Sequence, residues 1–259
     1  MWPLENLGAV ASTQQCVRDR LQGQATGASP DAFGVYSLEQ RAGIGQHGRH
    51  WQHCGEALAC SLAWALPARS AGLAHDTPPW PLWVSAVVSE GLEQALELAP
   101  GSIQIKWPND LYFQDRKCGG VLVSQLVSHQ RPWLIAGIGL NLRWHEPPKG
   151  FEASGLLQDS QLRLDEALAR RLVVSMVMAL DPVRHDQPSA LQWQRTFAVR
   201  DWLRGRSVRL VHPVTGEQMA QGLALGVDDH GRLELQSAQG DRSVHAMGEA
   251  SLRISEEDA

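Results

Sequence analysis

Several things are scarce in this chain, and each shortage closes off a class of function. No stretch reaches the eighteen or so apolar residues that a membrane-spanning helix requires. The opening MWPLENLGAV has neither the basic start nor the apolar core of a secretory signal. Cysteine is limited to Cys16, Cys54, Cys60 and Cys118, at spacings that make neither a CxxC pair nor a zinc pattern. Free thiols in a reducing cytoplasm are the simplest expectation, with no membrane partner. Positive charge is short too: a formal net charge of -5 argues against a surface that coats nucleic acid. Internal repeats and low-complexity linkers are absent. Among 23 cationic side chains only Lys106, Lys117 and Lys149 are lysines. Where arginine is the default cation, a lysine marks a place that suits a compact point charge, such as a phosphate or carboxylate oxygen.

What is present is unevenly distributed. With 259 residues, 43% of them hydrophobic, the chain can bury a substantial core in one large domain or in a large and a small one. Residues 106–123 read KWPNDLYFQDRKCGGVLV and hold two of the three lysines. Core packing calls for nothing like a cation, an indole, a proline, an amide and a carboxylate in succession. Lys106, Asp110 and Lys117, with a close backbone approach at Gly119-Gly120, describe a site for an anionic substrate such as a nucleotide. Asn109-Asp110 also suits a turn held by local side-chain bonds. Gly43-Ile44-Gly45-Gln46-His47-Gly48 matches GxGxxG, but it leads into a strand and not a helix, so the dinucleotide reading fails on context. A loop that wraps a ligand with backbone N–H groups fits better, beside the plainer alternative of a surface loop.

Along the chain, Ser12-Thr13 cap a short helix carrying Val17 and Leu21 on one face. Phe33 to Leu38 alternates as a strand, residues 39 to 55 form a loop, and Leu58 to Leu66 is a buried strand. His75 to Pro81 is a loop, and Leu82 to Leu98 has helical spacing. A strand into Lys106, another at Leu111 to Phe113 and a turn at Gln114-Asp115 follow. Val121 to Val127 and Trp133 to Leu142 complete a meander. Asp165 to Leu180 and Pro188 to Arg200 are helices. From Gly205 the short alternating segments SVRLVH, AQGLALGV, GRLELQS and RSVHAM predict a small barrel of about fifty residues.

These pieces, in this order, resemble the biotin protein ligases (biotin–[acetyl-CoA-carboxylase] ligases) over nearly the whole chain. Ser12-Thr13-Gln14 stands where the family has Ser-Thr-Asn, and residues 40–51 where it has a glycine-arginine loop. KWPND is the most specific signature. KCGGVLV, GIGLNL at 137–142 and GEASLR at 248–253 match later strands. The resemblance implies an α/β (α+β) fold: a mixed-sheet catalytic domain at 1–200 and a small SH3-like β-barrel at 205–259. It also implies an ATP-dependent reaction in two steps. Biotin becomes biotinyl-5′-AMP with loss of diphosphate, and biotin then passes to a lysine of the biotin carboxyl carrier protein of acetyl-CoA carboxylase or a related carboxylase.

Roles follow from the same resemblance. Lys117, Lys106 and Arg49 are the catalytic cations, serving the biotin carboxylate and the phosphates. Ser12, Thr13, Gln14 and Gln40 bind the polar parts of biotin. Gly43, Ile44, Gly45, Gln46 and Gly48 form the loop over the intermediate. Trp51 and Trp107 cover a ligand face or fill core; Asn109 and Gly120 complete the adenylate site. Asp110 positions a lysine or a Mg2+ ion. Cys118 is a packed residue and not a nucleophile. In the loop, Ile44 and Gln46 replace two family arginines, which predicts an active enzyme that retains biotinyl-AMP less tightly. With eleven residues before Ser12, no winged-helix repressor domain and no DNA partner are expected, while a homodimer through a sheet edge is compatible. Lipoate-type acyl transfer and non-catalytic binding of biotin or adenylate are the competing readings.

Overall fold

The computed structural model describes residues 2–23, 30–51, 55–66, 79–144, 154–185, 190–248 and 251–254. The central sheet has seven strands: β1 (Leu4–Asn6), β3 (Ala32–Ser37), β5 (Gly55–Ala65), β6 (Ile103–Lys106), β7 (Asp110–Phe113), β8 (Arg116–Ser128) and β9 (Arg131–Trp144). Their order across the sheet is β1-β3-β5-β9-β8-β7-β6. Only the β1–β3 pair is parallel; the other neighbours are antiparallel, so the sheet is mixed. The meander β6 to β9 is borne out, with each strand pairing with the next. Gln114 and Asp115 turn between β7 and β8 with φ of 51° and 58°, and His129 and Gln130 between β8 and β9 with 50° and 62°. Two consecutive left-handed residues match the twist of the flanking strands.

Helices cover both faces. On one side α1 (Thr13–Gly23) lays Val17 and Leu21 against Phe33, Val35, Ala63, Trp133 and Ile135. Ser12 caps it as expected, its Oγ accepting from the N–H of Gln15 at 3.3 Å. On the other side lies the larger core, where α2 (Trp80–Leu96) and α3 (Glu166–His185) pack over the sheet. Asp165 caps α3 through its Oδ1, which accepts from Leu168 N–H at 2.8 Å. A fourth helix, α4 (Ala190–Ala198), buries Trp193 and Phe197.

Several boundaries differ from the sequence reading: β5 begins at Gly55 and β8 at Arg116, both earlier than expected, and α4 ends at Ala198. Pro81 lies in the first turn of α2 and not in a loop, since the N–H that proline lacks has no partner in that turn. The helix α3 continues beyond Leu180 through Pro182. Within 39–55, Glu39–Gln40 form a two-residue strand, β4, parallel to β2 (Ala9–Val10). Two residues are too few to show a period. The expectations for 75–78, 188–189, 249–250, Cys54 and Lys149 fall outside the described residues.

The C-terminal strands β10 (Ser207–Val211), β11 (Gln218–Val227), β12 (Leu233–Gln236), β13 (Arg242–His245) and β14 (Ser251–Ile254) make a separate antiparallel sheet, the small SH3-like unit. Its β11–β12 turn docks on the larger body. Gly231 has φ +74°, and a Cβ there would lie 2.5 Å from Pro79 Cβ. The Gly231 carbonyl accepts from the buried Trp107 indole N–H at 3.0 Å. The segment leading into this unit runs along β6, where Ile105 N–H donates to Arg200 O at 2.6 Å and Trp202 N–H to Ile105 O at 3.0 Å.

Candidate functional site

Strand register explains why a cleft opens on the α1 face of the sheet. Directly paired residues share a face. One row runs Ser61, Gly137, Leu122, and the next runs Ala59, Gly139, Gly120, Asp110. Glycine at alternate positions of β9 removes two side chains from the middle of the sheet. The space is already in use at its edges: a Cβ on Gly139 would lie 2.6 Å from the Trp51 ring, and one on Gly137 would lie 3.1 Å from Gln14 Oε1. The result is a cleft of about 320 Å³ with a glycine floor and Trp51 standing on it.

At one end the cleft is polar and uncharged. Thr13 donates to Gln40 Oε1 twice, from its N–H at 2.8 Å and from its hydroxyl at 3.1 Å, and Ser61 Oγ donates to Thr13 Oγ1 at 2.9 Å. Gln14 is tied to β8, its Nε2 donating to Ser124 Oγ at 3.1 Å. Toward the other end Lys117 Nζ donates to Asp110 Oδ1 at 2.6 Å. The pair stays partly open to solvent, with side chains 29% and 31% exposed. Asn109 braces the turn above it, its Nδ2 donating to Val121 O at 2.8 Å. Arg49 and His50 line the cleft as well.

The glycine loop is folded upon itself. Ile44 and His50 form an antiparallel bridge, Gly45 N–H donates to Arg49 O at 2.7 Å, and Trp51 N–H to Gly43 O at 2.8 Å. A 3-10 turn at Gln46–Gly48 closes its tip, with Gly48 at φ +73°. Ile44, one of the two residues at family arginine positions, is 52% exposed at the cleft rim.

Of the residues singled out from sequence, Ser12, Thr13, Gln14, Gln40, Ile44, Gly45, Gln46, Arg49, Trp51, Asn109, Asp110, Lys117 and Gly120 come together around this space. Gly43 lies buried behind it, where a Cβ would be 2.5 Å from Gln40 Nε2. Gly48 shapes the loop from outside. One expectation is corrected, and one residue lies further out than the cleft itself. Trp107 covers no ligand face, because its ring is buried and its N–H is committed to Gly231 in the small barrel. Lys106 does not line the cleft. It is paired with Asp110 in the β6–β7 register and so sits one strand further out on the same face. There its ammonium lies 5.4 Å from the ring centres of both Tyr112 and Trp202 and donates to Tyr112 Oη at 3.3 Å.

The sequence reading missed Ser61, Gly137, Gly139 and Asn141. The alternating glycines of GIGLNL were the available signal for the floor. Asn141 is 5% exposed, lines the cleft, and its Oδ1 has no partner among the described residues. An acceptor left unpaired at such depth is costly unless a ligand supplies the donor. Cys60, between Ala59 and Ser61, turns its thiol into the larger core on the opposite face, where burial pushes it up to about 12, and burial does the same to Cys118. Neither is a nucleophile at neutral pH.

This geometry can hold an elongated ligand with a polar head at the Thr13–Gln40 end and an anionic group beside Lys117 and Arg49. Residues 12–142 match the model of the Biotin/lipoate A/B protein ligase family. The chain is 29% identical over 260 residues to the "Bifunctional ligase/repressor BirA" of Escherichia coli K12, covering 96% of this chain and 74% of that protein. It is 30% identical over 235 residues to the "Biotin--[acetyl-CoA-carboxylase] ligase" of Paracoccus denitrificans, covering 86% and 91%. Its fold superimposes with a TM-score of 0.71 on the biotin protein ligase of Aquifex aeolicus solved with biotin and ATP, at 24% identity over 98% of this chain and 100% of that one.

Proposed function

Because the chain belongs to the Biotin/lipoate A/B protein ligase family, we infer that it is an ATP-dependent biotin–[acetyl-CoA-carboxylase] ligase acting on a carboxyl carrier protein. The observation that carries this reading is the arrangement of one cleft. A neutral hydrogen-bonding end at Thr13, Gln40 and Ser61 faces a cationic end at Lys117 and Arg49, across a floor cleared by glycine.

In the first step an oxygen of the biotin carboxylate attacks the α-phosphorus of ATP. The bond from that phosphorus to the bridging oxygen of the β-phosphate breaks, and diphosphate leaves. Two anions must approach each other, so fixed cations are needed where charge gathers. Lys117, held by Asp110, meets the carboxylate and the α-phosphate, and Arg49 serves the phosphates from the loop. Lys106, at the outer end of the Asp110 row, is assigned to the departing diphosphate. In the second step a carrier lysine amine attacks the acyl carbon of biotinyl-AMP, the acyl–oxygen bond to AMP breaks, and the amine loses a proton. The protein's share of both steps is mainly orientation of the reacting groups.

The residues do not fit a protein-held metal. The Asp110 Oδ1 atom is engaged by Lys117, and no group of three His, Cys, Asp or Glu side chains among the described residues stands ready for a cation. Asp110 is therefore assigned to Lys117, and Mg2+ enters with ATP as part of the substrate. Self-association through the central sheet would use the β1 edge, which no strand among the described residues pairs, because Arg200 and Trp202 already bond β6. No helix among the described residues is long and apolar enough to cross a membrane.

The deciding experiment measures biotin-dependent release of diphosphate from ATP, with and without a carrier domain. The ligase reading expects release that accelerates with carrier, and biotin on one carrier lysine. Biotin binding without diphosphate release removes it in favour of a binding protein.

A further inference from the structure

The neutral end of the cleft has a direction. A main-chain N–H can only donate, so the atom that Thr13 N–H meets at 2.8 Å must be the oxygen of the Gln40 amide and not its nitrogen. That oxygen accepts only, so the Thr13 hydroxyl, 3.1 Å from it, must donate its single proton there. With that proton committed, the contact between Ser61 Oγ and Thr13 Oγ1 at 2.9 Å can run only from Ser61 to Thr13. Ser61 is fully buried on β5, in the row that continues through Gly137 to Leu122. Its place is set by the sheet and not by a mobile loop.

We propose that Ser61 is a positioning residue for the biotin head group, acting through Thr13. By occupying one Thr13 lone pair while Gln40 takes the proton, it fixes the rotation of the Thr13 hydroxyl. The remaining lone pair is then an acceptor toward the cleft. The head group that suits it is a cyclic urea or amide with an N–H to give. An isosteric ring without that N–H leaves a buried acceptor unpaired, the situation in which polar sites discriminate most strongly. Without Ser61 the hydroxyl keeps its bond to Gln40 but loses the contact that holds it from behind. This proposal rests on the biotin ligase reading and adds to it a residue that reaches the ligand only indirectly.

The test is a double-mutant cycle on the full chain, with biotin affinity read by calorimetry and KM for biotin and ATP read from diphosphate release. Ser61→Ala, which removes one oxygen and adds no bulk, should weaken biotin about tenfold, or about 1.4 kcal/mol. KM for ATP and kcat should stay within about twofold. In a Thr13→Val background the same Ser61→Ala change should have no further effect on biotin, because the residue through which it acts is gone. Ser61→Ala also narrows the preference for biotin over biotin methylated on a ureido nitrogen. Unchanged biotin affinity in Ser61→Ala overturns the proposal. So do equal losses toward biotin and ATP, or an undiminished Ser61→Ala effect in the Thr13→Val protein. If the unaltered protein binds biotin but releases no diphosphate, the ligase reading fails while the calorimetric cycle still decides the role of Ser61. If it binds no biotin, both fall.

Discussion

Arg200→Met should be among the most damaging single changes outside the cleft. Arg200 and Glu93 are both nearly sealed from solvent, with side chains 5% and 4% exposed, and they meet in a two-pronged pair at 2.6 and 2.8 Å. With an effective dielectric of about 20, charges 2.6 Å apart attract by about 6 kcal/mol. Dehydrating each ion costs several kcal/mol, so the pair as a whole contributes little net stability. Removing one partner is different, because among the described residues the desolvated Glu93 carboxylate is left with the Ile103 N–H at 2.8 Å as its donor. A loss of about 3–5 kcal/mol follows, which for a chain of this size lowers Tm by roughly 10 °C. Glu93→Gln combined with Arg200→Met removes both charges and keeps an acceptor for Ile103, so the double variant should recover at least half of the loss. Thermal and urea unfolding of the four proteins, followed by tryptophan fluorescence and circular dichroism, provide the comparison. Biotin KM measured below the lowered midpoint should be unchanged, since neither residue touches the cleft. A single-variant loss under about 1 kcal/mol, or a double variant no better than Arg200→Met, would refute the reasoning.

Three further perturbations probe other parts of the molecule. Burial pushes the Asp201 carboxyl from its ordinary 3.8 up to about 6, against the opposing pull of the Leu203 N–H and Arg204. The folded state holds that proton more tightly than the unfolded chain, so this contribution to stability is complete below about pH 4 and lost as pH rises through about 6. Asp201→Asn keeps an acceptor for Leu203 N–H, and should flatten the stability profile between pH 4 and 6 and raise Tm at pH 7.5, by up to about 3 kcal/mol of stability. Gly139→Val puts a branched side chain where a Cβ alone lies 2.6 Å from the Trp51 ring, and should abolish biotin binding by calorimetry while the protein still unfolds cooperatively. Gln46→Arg adds a cation at the cleft rim and should reduce both free biotinyl-AMP and labelling of bystander lysines, read by mass spectrometry after turnover with ATP and biotin.

Legibility in the sequence followed the length scale of each signal. Helices with a cap and several turns, such as the one after Ser12 and the one after Asp165, were readable because their periodicity repeats. The meander was readable because its turns and apolar runs alternate regularly. The Glu39–Gln40 strand was not, because its partner is Ala9–Val10 and two residues carry no pattern. Ser61 was hidden for another reason. It sits in the apolar run LACSLAWAL, where a serine reads as tolerated packing, and only the pairing of β5 with β9 places it on the cleft side. The glycines at 137 and 139 were visible as residues, but their purpose depends on Gln14 and Trp51, over a hundred and some ninety positions earlier in the sequence, standing on them.

The KWPND segment shows why residue chemistry alone assigned too much of it to the ligand. As a turn between β6 and β7, it has neighbours on every side, and four of its five residues are committed to different ones. Lys106 rests on Tyr112 and Trp202, Trp107 bonds the barrel at Gly231, Asn109 bonds β8 at Val121, and Asp110 holds Lys117. Of these, Lys106 and the Lys117 held by Asp110 are assigned to the chemistry. The Trp107 and Asn109 bonds fix the turn from two directions, and the turn sets where the Asp110 carboxylate, and so the Lys117 ammonium, stands above the glycine floor. An error of about 1 Å in a reacting group can cost a hundredfold in rate. Residues that only brace such a turn therefore bear on catalysis as strongly as those that meet the substrate. The small barrel bears on that turn by the same route, through the indole bond from Trp107 to Gly231, and none of its described residues lines the cleft.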